Sequence, residues 1–252
     1  MEPLIRYPIF QHAWFVEDLE ETCRCWHKAV GAGPFFIHRN HVTDTHTYRG
    51  EPFLTPLHYA FGYHGPTQVQ FIQQRDHAPS IYRDMFGPGE EGFHHVAMLV
   101  PDAKVKAEAA RFEAAGYPVV SDLWSHADVA YVDTRELIGC YLELHGDNDE
   151  IRGVFAPWIE AHETWDGQTE PLRFYGDYWS PTRRSWAQGR NLGAGPGLPH
   201  TSRETPQNPS VQPRSGVPGN SSNWLCCRHR PLPRVATSSR GPLRSEISGF
   251  AL

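Results

Sequence analysis

Two stretches of the chain alternate between apolar and polar positions in the same way. FQHAWFVED (10–18) and HHVAMLVPD (94–102) superimpose at a constant offset of 84 residues, with Ala13 on Ala97, Val16 on Val100 and Asp18 on Asp102. Each reads as an extended apolar run closed by an aspartate, which predicts a strand followed by a helix cap. After Asp18, Leu19, Cys23, Trp26 and Val30 recur at helical spacing up to Gly31. After Asp102, Val105, Ala109, Phe112 and Ala115 do so up to Gly116. A glycine at that place predicts a helix C-cap. Extended segments follow each helix, at 33–38, 57–63 and 67–73 in the first half and at 117–122, 127–133 and 139–145 in the second. The predicted unit is βαβββ, used twice, and the predicted fold class is α+β.

The boundaries follow from these periods. The first module covers 1–77, a short linking helix falls within 78–91, the second module covers 92–146, and a helical extension covers 147–180. Residues 181–252 differ in kind. Residues 1–180 hold 13 Lys and Arg against 27 Asp and Glu, a net charge of −14, whereas 181–252 hold ten Arg, no Lys and two acids, a net charge of +8. With 10 Pro, 10 Ser and 8 Gly in 72 residues and no amphipathic period, this tail lacks the apolar surface that offsets ordering entropy and is expected to be disordered. It is a dispensable extension or an arm for an acidic partner, and its composition even resembles translation of a shifted reading frame.

Composition narrows the class further. The acidic body disfavours nucleic acid. No run of eighteen apolar residues and no signal-like start is present, so neither a membrane span nor secretion is expected. Five irregularly spaced cysteines fit a reduced, cytoplasmic protein.

The two strand–Asp–helix modules, YVDT (131–134) and the closing YLELHG (141–146) resemble the vicinal oxygen chelate superfamily, which contains glyoxalases, bleomycin-resistance proteins and extradiol dioxygenases. The resemblance covers residues 8–146 and is nearest to the glyoxalase and methylmalonyl-CoA epimerase branch. It implies that the modules pair into a curved mixed sheet whose concave face holds one divalent metal ion. Its ligand positions, on the first and last strand of each module, carry over to Gln11, Gln70, His95 and Glu143.

Strand parity bears on that set. Cys140, Leu142 and Leu144 make one apolar face and leave Glu143 and His145 on the other; Val69 and Phe71 leave Gln70 opposite. Val96, Met98 and Val100 likewise leave His95, and Trp14 and Val16 share a face with His12, leaving Gln11, Ala13 and Phe15. All four candidate ligands fall on the face that helix packing leaves free. His12 would replace Gln11 only through a one-residue slip or a bulge. The superfamily more often has histidine where this chain has Gln11.

Three oxygens, one nitrogen and a single negative charge suit Mg, Mn, Co, Ni or Zn with positions left for substrate oxygens. A facial triad for Fe(II) would need His12 together with His95 and Glu143. The first expectation is therefore a metal-dependent lyase or isomerase that stabilises an enolate beside a chelated carbonyl. Glu143 is the first candidate base and His145 the second. Phe15, Tyr59 and Phe61 are expected on the wall of a pocket for a small hydrophobic substrate. In 150–164, Phe155, Trp158 and Ile159 could close one end. The alternatives are an Fe(II) extradiol-type dioxygenase acting on an aromatic diol and a metal-free small-molecule binding protein. A homodimer is compatible with each reading.

Overall fold

The computed structural model describes residues 2–175. The first module runs through β1 (Ile9–Phe15), α1 (Leu19–Val30), β2 (Phe35–His41), a small hairpin of β3 (Thr47–Tyr48) and β4 (Glu51–Pro52), β5 (Leu57–His64) and β6 (Thr67–Gln74). The second comprises β7 (Gly92–Pro101), α2 (Val105–Ala114), β8 (Val119–Trp124), β9 (Asp128–Val132), the single turn α3 (Arg135–Ile138) and β10 (Tyr141–Asp147). Helix α4 (Asp149–Glu163) and strand β11 (Leu172–Tyr175) follow. The tail expected over 181–252 lies outside the described residues, as does the end of the extension expected to reach residue 180.

The eleven strands among the described residues form one curved, unclosed mixed sheet in the order β11-β2-β5-β6-β1-β7-β10-β9-β8-β3-β4. Each module pairs its first and last strands in parallel, β1 with β6 and β7 with β10. The modules join through antiparallel β1 and β7, so both halves of the concave face come from one chain. The hairpin β3–β4 crosses from the first module to pair with β8 of the second.

Two apolar layers hold the helices on the convex face. Leu19 and Cys23 of α1, with Trp26 beside them, pack on Val16, Val69 and Phe71. Val105, Ala109 and Phe112 of α2 pack on Val96, Met98, Leu142 and Leu144. These are the apolar faces read from alternation. At about 25 cal/mol per Å² of buried apolar area, layers like these supply most of the fold's stabilisation. Asp18 caps α1 by accepting from the Glu21 N–H at 3.0 Å, and Gly31 closes it in the left-handed region at φ 71°.

Three local expectations differ from the structure. Asp102 does not cap α2; it opens a 3-10 turn, and its carboxylate accepts from the Asp128 N–H at 2.9 Å, tying the turn to β9. That carboxylate fills the space beside Gly146, where a Cβ would collide with it. Residues 81–85 form turns rather than the linking helix expected in 78–91, because Pro79 and the Gly87-Pro88 pair bound too short a run. Val30 at the end of α1 is exposed. No helix among the described residues is long and apolar enough to cross a membrane.

Candidate functional site

The register assembles a polar floor at the centre of the concave face. Gln68, Gln11, Ala97, Glu143 and Tyr131 stand in one row across β6, β1, β7, β10 and β9. Gln70, Ala13, His95 and Tyr141 stand in the next. The two alanines are the smallest residues in either row, and they leave open space between the larger polar groups. Gln11, Gln70, His95 and Glu143 therefore surround one patch of floor, and all four are buried. His12 lies on the other face, edge-on to Trp14 and Phe93 at 6.4 and 6.3 Å between ring centroids. The pairing of β1 with β7 is regular from Gln11 to Ala13, with irregularities on either side.

Those irregularities matter. Ala13 pairs with His95 and Trp14 with Phe93, which leaves His94 as the extra residue of a bulge. Bulges re-aim side chains that strict alternation would send to the opposite face. Here consecutive histidines meet: His94 Nδ1 lies 2.8 Å from His95 Nδ1, and His94 Nε2 lies 3.1 Å from the Ile81 carbonyl oxygen. A carbonyl only accepts, so His94 Nε2–H donates to it. Burial, with His95 adding to it, holds the His94 ring well below the ordinary imidazole range and hence neutral. Its bare Nδ1 then accepts from His95 Nδ1–H. When the His95 ring is neutral, its remaining nitrogen, Nε2, carries a lone pair toward the floor; when the ring is protonated, Nε2–H faces Glu143 Oε2, 3.0 Å away. A similar chain orients the amide on β1. Gln11 Nε2 donates to Gln68 Oε1, and Gln68 Nε2 donates to the Tyr63 hydroxyl at 2.8 Å, which leaves Gln11 Oε1 free.

Four acceptor atoms at this floor have no hydrogen-bond partner: Gln11 Oε1, Gln70 Oε1, His95 Nε2 and Glu143 Oε2. His95 Nε2 and Glu143 Oε2 are close, but the contact does not meet hydrogen-bond geometry. An unsatisfied buried polar atom costs about 1–3 kcal/mol. Four such acceptors from adjacent strands fit a cation as the missing partner, with an N/O donor set suited to a divalent ion. Among the described residues no three His, Cys, Asp or Glu side chains are gathered into such a group, since two of these four donors are amides. Burial pushes the Glu143 carboxyl up, but His95, His145 and Tyr131 together outweigh it and hold it below the ordinary carboxylate range. Burial and then the Glu143 charge hold the Tyr131 phenol well above its usual value.

A cavity of about 510 Å³ opens above the floor. Tyr59 and Phe61 of β5 line one side, and Leu123, Val129 and Tyr131 of β8 and β9 line the other. Helix α4 covers one end with Ile151, Val154, Phe155 and Trp158, at helical spacing on one face. Ile159, expected beside them, is exposed instead. Phe15 is also displaced from its expected place on the pocket wall. It is fully buried, stacked on Tyr82 and Phe86 at 5.8 and 5.6 Å, and the turns at 81–86 cover it from the cavity. His145 lines the cavity, and its Nδ1 lies 2.9 Å from the Gly146 carbonyl. Nδ1–H therefore donates, and in the neutral ring Nε2 is left as an acceptor. Sequence reasoning missed His94, although the doubled histidine was the available signal.

The sheet of two βαβββ modules thus carries a polar floor on its concave face. Residues 10–131 match the profile of the Glyoxalase/Bleomycin resistance protein/Dioxygenase superfamily, and the chain carries a domain of that superfamily. The match takes in Gln11, Gln70 and His95 and stops short of Glu143. Among solved structures, methylmalonyl-CoA epimerase from Mycobacterium tuberculosis is 16% identical, with 57% of this chain and 91% of that chain covered at a TM-score of 0.43. A Streptomyces coelicolor methylmalonyl-CoA epimerase in complex with 2-nitronate-propionyl-CoA is 19% identical, with 56% and 97% covered at 0.41. A hypothetical protein from Bacillus halodurans is 12% identical, with 57% and 96% covered at 0.43. No curated protein matches the sequence.

Proposed function

We propose that this chain is a metal-dependent isomerase or lyase of the glyoxalase and epimerase type, acting on a small hydrophobic carbonyl compound. One observation carries the reading: four unpartnered acceptors lie together at the base of a largely apolar cavity. Gln11, Gln70, His95 and Glu143 would hold one divalent ion of the Mg, Mn, Co, Ni or Zn kind. When bound, such an ion supplies electrostatic stabilisation to negative charge developing on a substrate oxygen.

The remaining work falls to the chain's own groups. Glu143 is ionised at neutral pH and takes the proton from the carbon next to the carbonyl. His145 Nε2, two residues along the same strand face, is the second acceptor. The apolar walls keep water from the carbanionic carbon and so direct proton return through the same groups. The donor set does not favour oxygen chemistry, because the facial triad needs a second histidine and His12 packs on the opposite face against Trp14 and Phe93.

The test is exchange of the α C–H for deuterium across a panel of small carbonyl compounds, with each divalent ion added in turn and NMR as the readout. Exchange should require the ion, and Glu143→Gln should slow it by about 10²–10⁴-fold while the protein stays folded. Exchange that is undiminished in Glu143→Gln would remove the base assignment.

A further inference from the structure

We infer that the cavity takes a flat, uncharged aromatic carbonyl compound without phosphate groups, rather than an acyl-CoA thioester. This rests on the reading of the floor given above and names the substrate class of that site.

The first argument is shape. Phe61 stacks on Trp158 with centroids 5.0 Å apart and planes at 19°, and on Tyr59 at 5.8 Å and 25°. Three rings from β5 and α4 thus form one stacked column along this side of the cavity. The facing arm of the sheet presents the aliphatic side chains of Leu123 and Val129. A slot between that column and the facing wall accepts a planar ring system edge-first, carbonyl toward the floor, and edge-to-face contact with the column's ring edges rewards an aromatic ligand. The volume, about 510 Å³, lies within the range of about 300–1,000 Å³ usual for drug-sized ligands.

The second argument is charge. The phosphates of a CoA thioester are recognised by Lys and Arg, and among the described residues no Lys or Arg lines the cavity. Its histidines do not substitute for them. Burial lowers His38 and His41 to about 4, so both are neutral near pH 7. His126 is paired with Glu150 at 2.9 Å. The charged side chain at the floor is Glu143, which repels an anion that brings no cation of its own.

The experiment uses the full chain, freed of metal by a chelator, and follows the fluorescence of 3-hydroxyflavone, a flat neutral hydroxyketone. Binding should be saturable, and propionyl-CoA in large excess should not displace the probe. Trp158→Ala should weaken binding by about tenfold or more, Trp158→Phe should recover most of it, and Ile159→Ala on the outer face of α4 should change nothing. If Trp158→Ala does not fold, Phe61→Leu tests the same wall. Displacement by propionyl-CoA, or equal affinity in the folded wall variants, would overturn the inference. Saturable flavone binding combined with no C–H exchange on any carbonyl compound would instead overturn the isomerase reading and leave this one standing.

Discussion

Replacing His94 with Phe tests how the site is held together. The substitution keeps a ring against Tyr82 and Tyr141, whose centroids lie 4.7 and 5.1 Å from that of His94, so the loss is polar rather than volumetric. The Ile81 carbonyl loses its donor at 3.1 Å and His95 Nδ1–H loses its acceptor at 2.8 Å. Two buried groups left unsatisfied cost about 2–6 kcal/mol together. At about 2–4 °C per kcal/mol for a domain of this size, Tm should fall by about 4–24 °C. The freed His95 ring can flip or change tautomer, and loss of such an outer partner lowers metal affinity by about 10–100-fold. Calorimetric titration with Mn(II) measures that loss. Nitrogen-edited NMR of the histidine rings reads the cause: in the wild type the proton of metal-free His95 should sit on Nδ1, and in His94→Phe it should not. His94→Gln, which keeps one donor and one acceptor, should recover part of both. An unchanged tautomer with less than about threefold loss of affinity would refute the role given to His94 and reduce it to packing.

Three further outcomes follow from the same geometry. Gln11→Ala should weaken metal binding and, by leaving Gln68 Oε1 without its donor, cost about 1–3 kcal/mol in chemical denaturation. His12→Ala should leave metal stoichiometry at one per chain while costing about 1–2 kcal/mol through lost packing on Trp14 and Phe93; an empty site in this variant would overturn the register argument. Gly146→Val should cost about 1–3 kcal/mol or prevent folding, because its side chain would enter the space held by the Asp102 carboxylate, Ala127 and Asp128; wild-type Tm would show that the turn at Asp102 yields freely.

What was legible in the sequence was which side of the sheet each residue occupies. Alternation placed Val96, Met98, Leu142 and Leu144 under α2, and so put His95 and Glu143 opposite, because period two ties neighbouring side chains to opposite faces. It carries no information about where strands slip. The bulges that deliver His94 beside His95 and add Phe10 to β1 break the period by one residue, and only the partner strand reveals them. Phe10 now sits 5.9 Å from His145 and 6.0 Å from Phe155 between centroids, behind two residues that line the cavity. Phe15 was read on the correct face, yet on a concave sheet that face is cavity in the middle and core where another segment covers it. The cover is the segment at 81–86, where a linking helix was expected and turns form instead. The crossing of β3–β4 to β8 was equally hidden, since its bonds span some seventy residues and leave no periodic trace.

The duplication also explains how such a floor can stay stable without a surplus of charge. Gln11 and His95 occupy equivalent places in the two modules, at the same offset that relates Ala13 to Ala97. Each is oriented by an uncharged neighbour, Gln68 backed by the Tyr63 hydroxyl in one case and His94 backed by the Ile81 carbonyl in the other. Orientation by carboxylates would have added buried negative charge beside Glu143, and each added charge would have cost several kcal/mol of desolvation. Orientation by cations would have competed with a metal for the same lone pairs. Neutral relays avoid both penalties, and they leave Glu143 as the one formal charge among the four donors. A divalent ion held by that set would keep net positive charge, as the proposed loss of a proton next to a neutral carbonyl requires.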